Sequence, residues 1–219
     1  MEKWSEGVYL LGQYNDLNAG CWLLTYGKSG AILDMPPYSK GQPSPVAAAR
    51  KAARELGIEI KYLLGSHCHG DHIDLATVHE FQAAFPKAEL CLQSGFASWF
   101  SGSGTIRNFE DEIELFLDEE LLLLVHAPKH SWTDTMVIFR GVIITGDWEL
   151  NTIRSIHDNK GKSSVPLIRK IQSINHLVEV VGKYKYCIHK AFSVHANDRR
   201  ENINFNALME DTKLDRQLW

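Results

Sequence analysis

Basic residues are in short supply in this 219-residue chain: 23 lysines and arginines stand against 27 aspartates and glutamates, a formal charge of -4. A dedicated nucleic-acid binder normally carries a basic footprint, so that class is disfavoured. A small anionic substrate stays open, because a local metal charge can outweigh the net charge. Cysteine is also sparse. Cys21, Cys68, Cys91 and Cys187 form no Cys-x-x-Cys pair, which excludes a zinc knuckle and a thioredoxin-like motif. Cys21, Cys91 and Cys187 lie in apolar strand-like runs and read as small buried hydrophobes. Long apolar segments are missing too: the longest, Leu121 to Val125, is far short of the roughly 20 residues that span a bilayer. The start, Met1-Glu2-Lys3-Trp4-Ser5-Glu6-Gly7, has no basic segment leading into an apolar core, so no signal peptide and a cytoplasmic location are expected. With no internal repeat and no low-complexity linker, one domain over residues 1–219 is expected, with a polar C-terminal tail from about 197.

What is present is an ordinary globular composition, 44% hydrophobic and 23% charged, enough to build one sizeable core. Strands are expected at Val8 to Leu11, Cys21 to Tyr26, Ala31 to Leu33, Lys61 to Gly65 and Glu89 to Gln93. Further strands are expected at Leu121 to His126, Thr135 to Phe139, Val142 to Thr145 and Tyr186 to Ile188. Helices are expected from Pro45 to Gly57, with Ser44 as cap and Gly57 as stop, from Asp74 to Phe85, and from Val165 to Gly182. Gly95 to Gly104 reads as a loop, and Glu110 to Glu120 as an acidic stretch. Strands interleaved with helices predict an α/β domain in which helices cover sheets.

The chemistry concentrates in His67-Cys68-His69-Gly70-Asp71-His72, four potential metal ligands in six residues. Imidazole and carboxylate suit zinc, and also iron or manganese. The run follows a strand and precedes a helix. An extended start puts His67 and His69 on one side and turns Cys68 away, and a turn at Gly70 aims Asp71 and His72 at a second position. Asp74, at the start of the next helix, reads as a cap.

The spacing His-x-His-x-Asp-His resembles the central signature of the metallo-β-lactamase fold superfamily of metallohydrolases. The likeness extends to Asp34 at the end of the strand Ala31 to Leu33, to His130 in Pro128-Lys129-His130-Ser131, and to Thr145-Gly146-Asp147 at the end of a further strand. The motifs follow in order over roughly residues 8 to 190. The resemblance implies an αββα sandwich of two mixed sheets flanked by helices. It implies that His67, His69 and His130 hold one metal, that Asp71, His72 and His189 hold the other, and that Asp147 bridges them. Asp34 would orient a ligand histidine through its other ring nitrogen. His195 competes with His189 for the last place, because this ligand often has a glycine neighbour in the family and His189 has none. His189 is preferred because it directly follows the strand Tyr186 to Ile188.

Two such ions, zinc by preference with iron or manganese as substitutes, would activate water against a small-molecule ester, thioester, lactone, amide or phosphodiester, with Asp71 as a proton acceptor. Phe96, Trp99, Phe100, Trp132 and Trp148 are candidates for the pocket wall. No membrane partner is expected, and a homodimer is left open. Two other classes use the same residues: an iron-dependent oxidoreductase, and a non-catalytic metal-binding scaffold whose polar tail and Trp219 dock on a partner.

Overall fold

The strand segments of this chain are apolar almost throughout instead of alternating, and such strands need cover on both faces. In a computed structural model, two sheets pack face to face and helices lie on each outer face. It describes residues 1–100, 105–148 and 165–213, with only the backbone at Trp148; Trp219 and the Trp148 side chain therefore lie outside the described residues.

The first sheet runs β1 (Glu2–Ser5), β2 (Val8–Tyr14), β3 (Ala19–Tyr26), β4 (Ser29–Leu33), β5 (Glu59–Leu64), β6 (Glu89–Gln93) and β7 (Ile106–Phe109) in spatial order. Strands β1 to β4 are antiparallel neighbours, and β4 to β7 are parallel. The parallel crossovers carry α1 (Pro45–Leu56), α2 (Leu75–Ala84) and the short α3 (Ser94–Ala97). The second sheet contains β8 (Glu112–Leu117), β9 (Glu120–His126), β10 (Thr135–Phe139), β11 (Val142–Ile144), β12 (Lys190–Phe192) and β13 (Arg199–Glu201). Helix α4 (Leu167–Lys183) lies between the parallel β11 and β12, and α5 (Phe205–Lys213) follows β13.

Side-chain alternation sorts the core into three layers. Trp22 and Leu24 of β3 meet Leu122, Leu124, Val137 and Phe139 between the sheets. Their neighbours Cys21 and Leu23 face outward beneath Val46, Ala49 and Phe81 of α1 and α2. On the far side, Leu123, Val125, Ile143 and Ala191 pack against Ile174 and Leu177 of α4 and Phe205 and Leu208 of α5. Each fully buried Leu or Phe stabilises the fold by roughly 1.5–3 kcal/mol, so both faces of both sheets contribute. The result is the αββα sandwich. The helix ends follow local chemistry. Ser44 caps α1 and Gly57 closes it at φ 64°, while Asp74 caps α2 through the Thr77 N–H.

Three expectations need correction. The acidic stretch from 110 to 120 contains an edge strand, β8, whose Leu115 and Leu117 point inward between exposed Glu114 and Phe116. The strand expected at Tyr186 to Ile188 is β12, a few residues later, and it is not the last. The polar tail is folded over its described residues: β13 pairs with β12, and α5 buries Phe205, Leu208 and Met209 against α4. No helix among the described residues is long and apolar enough to cross a membrane.

Candidate metal centre

Parallel β4 and β5 end level with each other, Leu33 beside Leu64, so Asp34 and the segment from Gly65 onward emerge side by side. The Asp34 N–H donates to the Leu64 carbonyl, and Asp34 takes φ 62°, a left-handed conformation that aspartate tolerates better than most residues. The chain after His67 then closes a turn: the N–H groups of His72 and Ile73 both donate to the His69 carbonyl. Met35 exchanges backbone hydrogen bonds with His72 and Asp74, which fastens the turn to the end of β4. The loop between β9 and β10 brings His130 to the same edge. Asp147 follows β11 there, and His195 follows β12.

Seven side chains converge in two groups. His67, His69, His130 and Asp147 form one; Asp71, His72 and His195 form the other. In the first, His67 Nε2 is 3.1 Å from His69 Nδ1, and His130 Nε2 is 3.0 Å from the same atom. Asp147 Oδ2 is 3.7 Å from His67 Nε2 and 3.5 Å from His130 Nε2. In the second, His72 Nε2 is 3.2 Å from His195 Nε2 and 3.4 Å from Asp71 Oδ2. Asp147 Oδ1 lies 3.3 Å from His72 Nε2 and 3.1 Å from His195 Nε2. One carboxylate thus turns one oxygen to each group.

The donor set fits divalent ions. Two atoms each about 2.0–2.2 Å from a shared tetrahedral ion lie about 3.3–3.6 Å apart, and every one of these separations falls in that range or within about 0.3 Å of it. Asp147 Oδ1 is buried and receives no hydrogen bond of good geometry despite its two imidazole neighbours, as expected of an atom aimed at a cation. Electrostatics agree. Burial, with the neighbouring His72, holds His67 well below its ordinary pKa, and burial with His130 lowers His69, so both rings keep a free lone pair. Burial also pulls His72 down, but Asp147 and Asp34 outweigh it and lift the ring to about 10. The same balance, burial against Asp147, raises His195. Burial alone would raise Asp147, yet His195 and His72 hold it far below the usual carboxylate range. Asp147 thus favours positive charge on His72 and His195, while burial keeps His67 and His69 neutral.

The geometry excludes His189 from this assembly. Strand β12 runs parallel to β11 with Lys190 beside Val142, so His189 sits level with Gly141 at the opposite end of the sheet, exposed to solvent. His195 takes the expected place. The Trp22 Nε1–H donates to the Val194 carbonyl at 2.8 Å, and Gln13 Nε2 donates to the His195 carbonyl at 2.6 Å. Asn15 Nδ2 donates to the Asp71 carbonyl, so the end of β2 and the loop after it brace both ends of the second group.

Two contributors were not foreseen. Asp34 Oδ2 accepts from His72 Nδ1 at 2.9 Å, as expected, but it also accepts from Ser66 Oγ, which reaches His67 Nδ1. Asp134, fully buried, accepts from the N–H groups of Lys129, His130 and Ser131 and from Ser131 Oγ, and so shapes the loop that presents His130. Burial raises the Asp134 carboxyl, partly offset by those donors. The cluster Ser131-Trp132-Thr133-Asp134 is rich in turn formers, and that was its sequence signal. Among the pocket-wall candidates, Phe96 and Phe100 are core residues, whereas Trp99 and Trp132 are exposed. Cys68 turns from the ligands toward the layer beneath α1 and α2.

No known family's sequence profile matches the chain, and no curated protein does. Solved structures do match. A metallo-β-lactamase family protein from Thermus thermophilus gives a TM-score of 0.64 at 17% identity, over 96% of this chain and 79% of that one. The DIM-1 metallo-β-lactamase gives 0.66 at 13% identity, over 98% and 94%. A flavodiiron protein from Giardia intestinalis gives 0.61 at 13% identity, over 96% of this chain and 58% of that longer one. At such identities the shared property is architecture. Two mixed sheets with helices outside, and candidate ligands at one edge of both, establish that this chain has the metallo-β-lactamase fold.

Proposed function

We propose that this chain is a metal-dependent hydrolase with a dinuclear centre, zinc in the first instance, acting on a small-molecule ester, thioester, lactone or phosphodiester. His67, His69 and His130 would hold one ion and Asp71, His72 and His195 the other, with Asp147 available to both. The observation that carries this reading is the division of the Asp147 carboxylate between the two groups. A pair of ions held there would supply Lewis acidity and a nucleophilic water near neutral pH. The protein's part is positional. His67 and His72, both wholly buried, present Nε2 while their Nδ1 atoms are engaged by Ser66 and Asp34. Asp147 neutralises part of the charge that two cations would bring. Asp71 keeps part of its carboxylate open to solvent and lies beside His72, where it can accept a proton from the attacking nucleophile.

Metal analysis by atomic emission with anomalous scattering, followed by turnover of a panel of those substrates, tests the proposal. Two ions per chain and hydrolysis lost in Asp71→Ala are expected. Hydrolysis retained in that variant would remove Asp71 from the mechanism. A second reading is favoured by the likeness to a flavodiiron protein and by a donor set that suits iron as well as zinc. One iron per chain with oxygen-dependent turnover would replace the hydrolase by an oxidoreductase. A loaded centre inert on every substrate would leave a metal-binding scaffold.

A further inference from the structure

Four wholly buried groups behind the candidate ligands form one hydrogen-bonded chain. Ser66 is 1% exposed, and Asp34, His67 and His72 are fully enclosed. Asp34 Oδ1 accepts the Ser66 backbone N–H at 2.7 Å, and Oδ2 accepts Ser66 Oγ–H at 2.8 Å. The same Oδ2 is 2.9 Å from His72 Nδ1, and Ser66 Oγ is 3.0 Å from His67 Nδ1.

An ionised carboxylate only accepts, so the protons in this chain run one way. The Ser66 hydroxyl gives its hydrogen to Asp34, which leaves the Ser66 oxygen as acceptor for an Nδ1–H of His67. His72 likewise gives its Nδ1–H to Asp34. A cation would take the place of any proton on the cluster side, and both imidazoles would then present the lone pair on Nε2, the atom that faces the ligand cluster. The reverse orientation would put a hydrogen on His67 Nε2, pointing at His69 Nδ1 and closing the first group to a cation. His67 belongs to one group and His72 to the other, so a single carboxylate governs both.

We infer that Ser66 is a positioning residue that sets the His67 tautomer for metal binding, and that Asp34 couples the two metal positions through it. This rests on the dinuclear reading above. Asymmetry follows from the connectivity. Ser66→Ala deprives only His67 of its partner, whereas Asp34→Asn disturbs His72 directly and His67 through Ser66. Loss of an outer partner of a metal-bound histidine typically lowers affinity about 10–100-fold.

The test is zinc titration of the full-length protein against a chromophoric chelator, which returns one dissociation constant per ion. Ser66→Ala is expected to weaken one constant by about 10–100-fold and to move the other much less; Asp34→Asn is expected to weaken both. A parent protein that binds no zinc would overturn the dinuclear reading and this inference with it. A parent with two constants, both unchanged in Ser66→Ala, would overturn this inference alone. Should either variant fail to fold, long-range proton–nitrogen spectra of the imidazoles in the zinc-loaded parent decide the matter. Nδ1-protonated rings at His67 and His72 support the chain of donors, and an Nε2-protonated His67 refutes it.

Discussion

Replacing Asp134 by alanine measures how far one buried carboxylate sets the shape of the loop that carries His130. Its oxygens accept from the backbone N–H of Lys129 at 2.8 Å, of His130 at 2.6 Å and of Ser131 at 3.0 and 3.1 Å, and from Ser131 Oγ at 2.8 Å. Truncation strands three backbone donors, and Lys129 and Ser131 are buried where water replaces a lost partner poorly. Each unsatisfied buried donor costs roughly 1–3 kcal/mol, so the three together would reach about 3–9 kcal/mol. Two effects draw the sum to its lower end. Burial penalises the Asp134 charge itself, so its removal recovers part of that penalty. The Ser131 hydroxyl already lies 3.1 Å from Thr133 Oγ1 and can turn to it. The expected loss is about 3 kcal/mol, a large share of the 5–15 kcal/mol that typically separates folded from unfolded chains. Urea unfolding of chelator-treated protein reads it as a lower midpoint at unchanged slope. Asp134→Asn keeps the shape and one acceptor oxygen and should lose about half as much. A loss below about 1 kcal/mol in Asp134→Ala would refute the reasoning, because chain packing and not the carboxylate would then hold the turn.

Other expectations follow from the same geometry. His195→Ala should lower bound zinc from two ions to one, whereas His189→Ala should leave the stoichiometry intact; atomic emission on dialysed protein compares them, and equal values would count against the second group as drawn. A Cβ added at Gly20 would run into the Val194 carbonyl oxygen and come 2.7 Å from Trp22 Nε1. Gly20→Ala should therefore break the Trp22–Val194 hydrogen bond, displace His195 and lower stability by about 2 kcal/mol, visible together as a lower melting temperature and a missing ion. Asp118 receives hydrogen bonds from Ser29 and the Lys28 N–H and pairs with Lys61, which together hold its carboxyl down to about 2. A pKa depressed in the folded state means that this stabilisation is complete above the unfolded value near 4 and disappears as pH falls from about 4 to 2. The stability gap between the parent and Asp118→Asn should close across that window; a gap independent of pH would refute the pairing.

Much of the fold was legible because burial on both faces leaves a plain mark. The runs Leu121 to Val125 and Thr135 to Phe139 have almost no polar residue, and each is a strand covered by the other sheet on one side and by helices on the other. The caps were legible for local reasons, since Ser44, Gly57 and Asp74 act through their own neighbours. Edge elements were not. In β8 Ile113, Leu115 and Leu117 turn to the core between Glu112, Glu114 and Phe116, so acidity hid the alternation. Helix α5 owes its place to α4, a contact made across the fold that no local pattern announces. Ser66 was passed over for a related reason: a serine before a histidine means nothing until Asp34, 32 residues away in sequence, is seen to lie against both.

The displaced last candidate has a simpler cause, and it explains why the other motifs converge on one edge. In a parallel pair, residues at equal distances beyond level strand ends emerge at the same edge. Ile144 pairs with Phe192, Asp147 lies three residues beyond Ile144, and His195 lies three residues beyond Phe192. His195, the candidate that converges, does follow a strand; the strand was taken too early, at Tyr186 to Ile188, where Ile188 is in fact packed into the layer beneath α4 and α5. A three-residue strand is roughly 10 Å long, so that slip moves a histidine from one end of the sheet to the other. The motif around His67 suffered no such error because its candidate ligands lie within six residues of one another, on one turn whose position does not depend on a distant strand boundary. Convergence from distant segments is therefore the part of this centre that needed the fold. Asp147 and His195 share it through one register, that of β11 against β12, and a change that shifts this register would part the two.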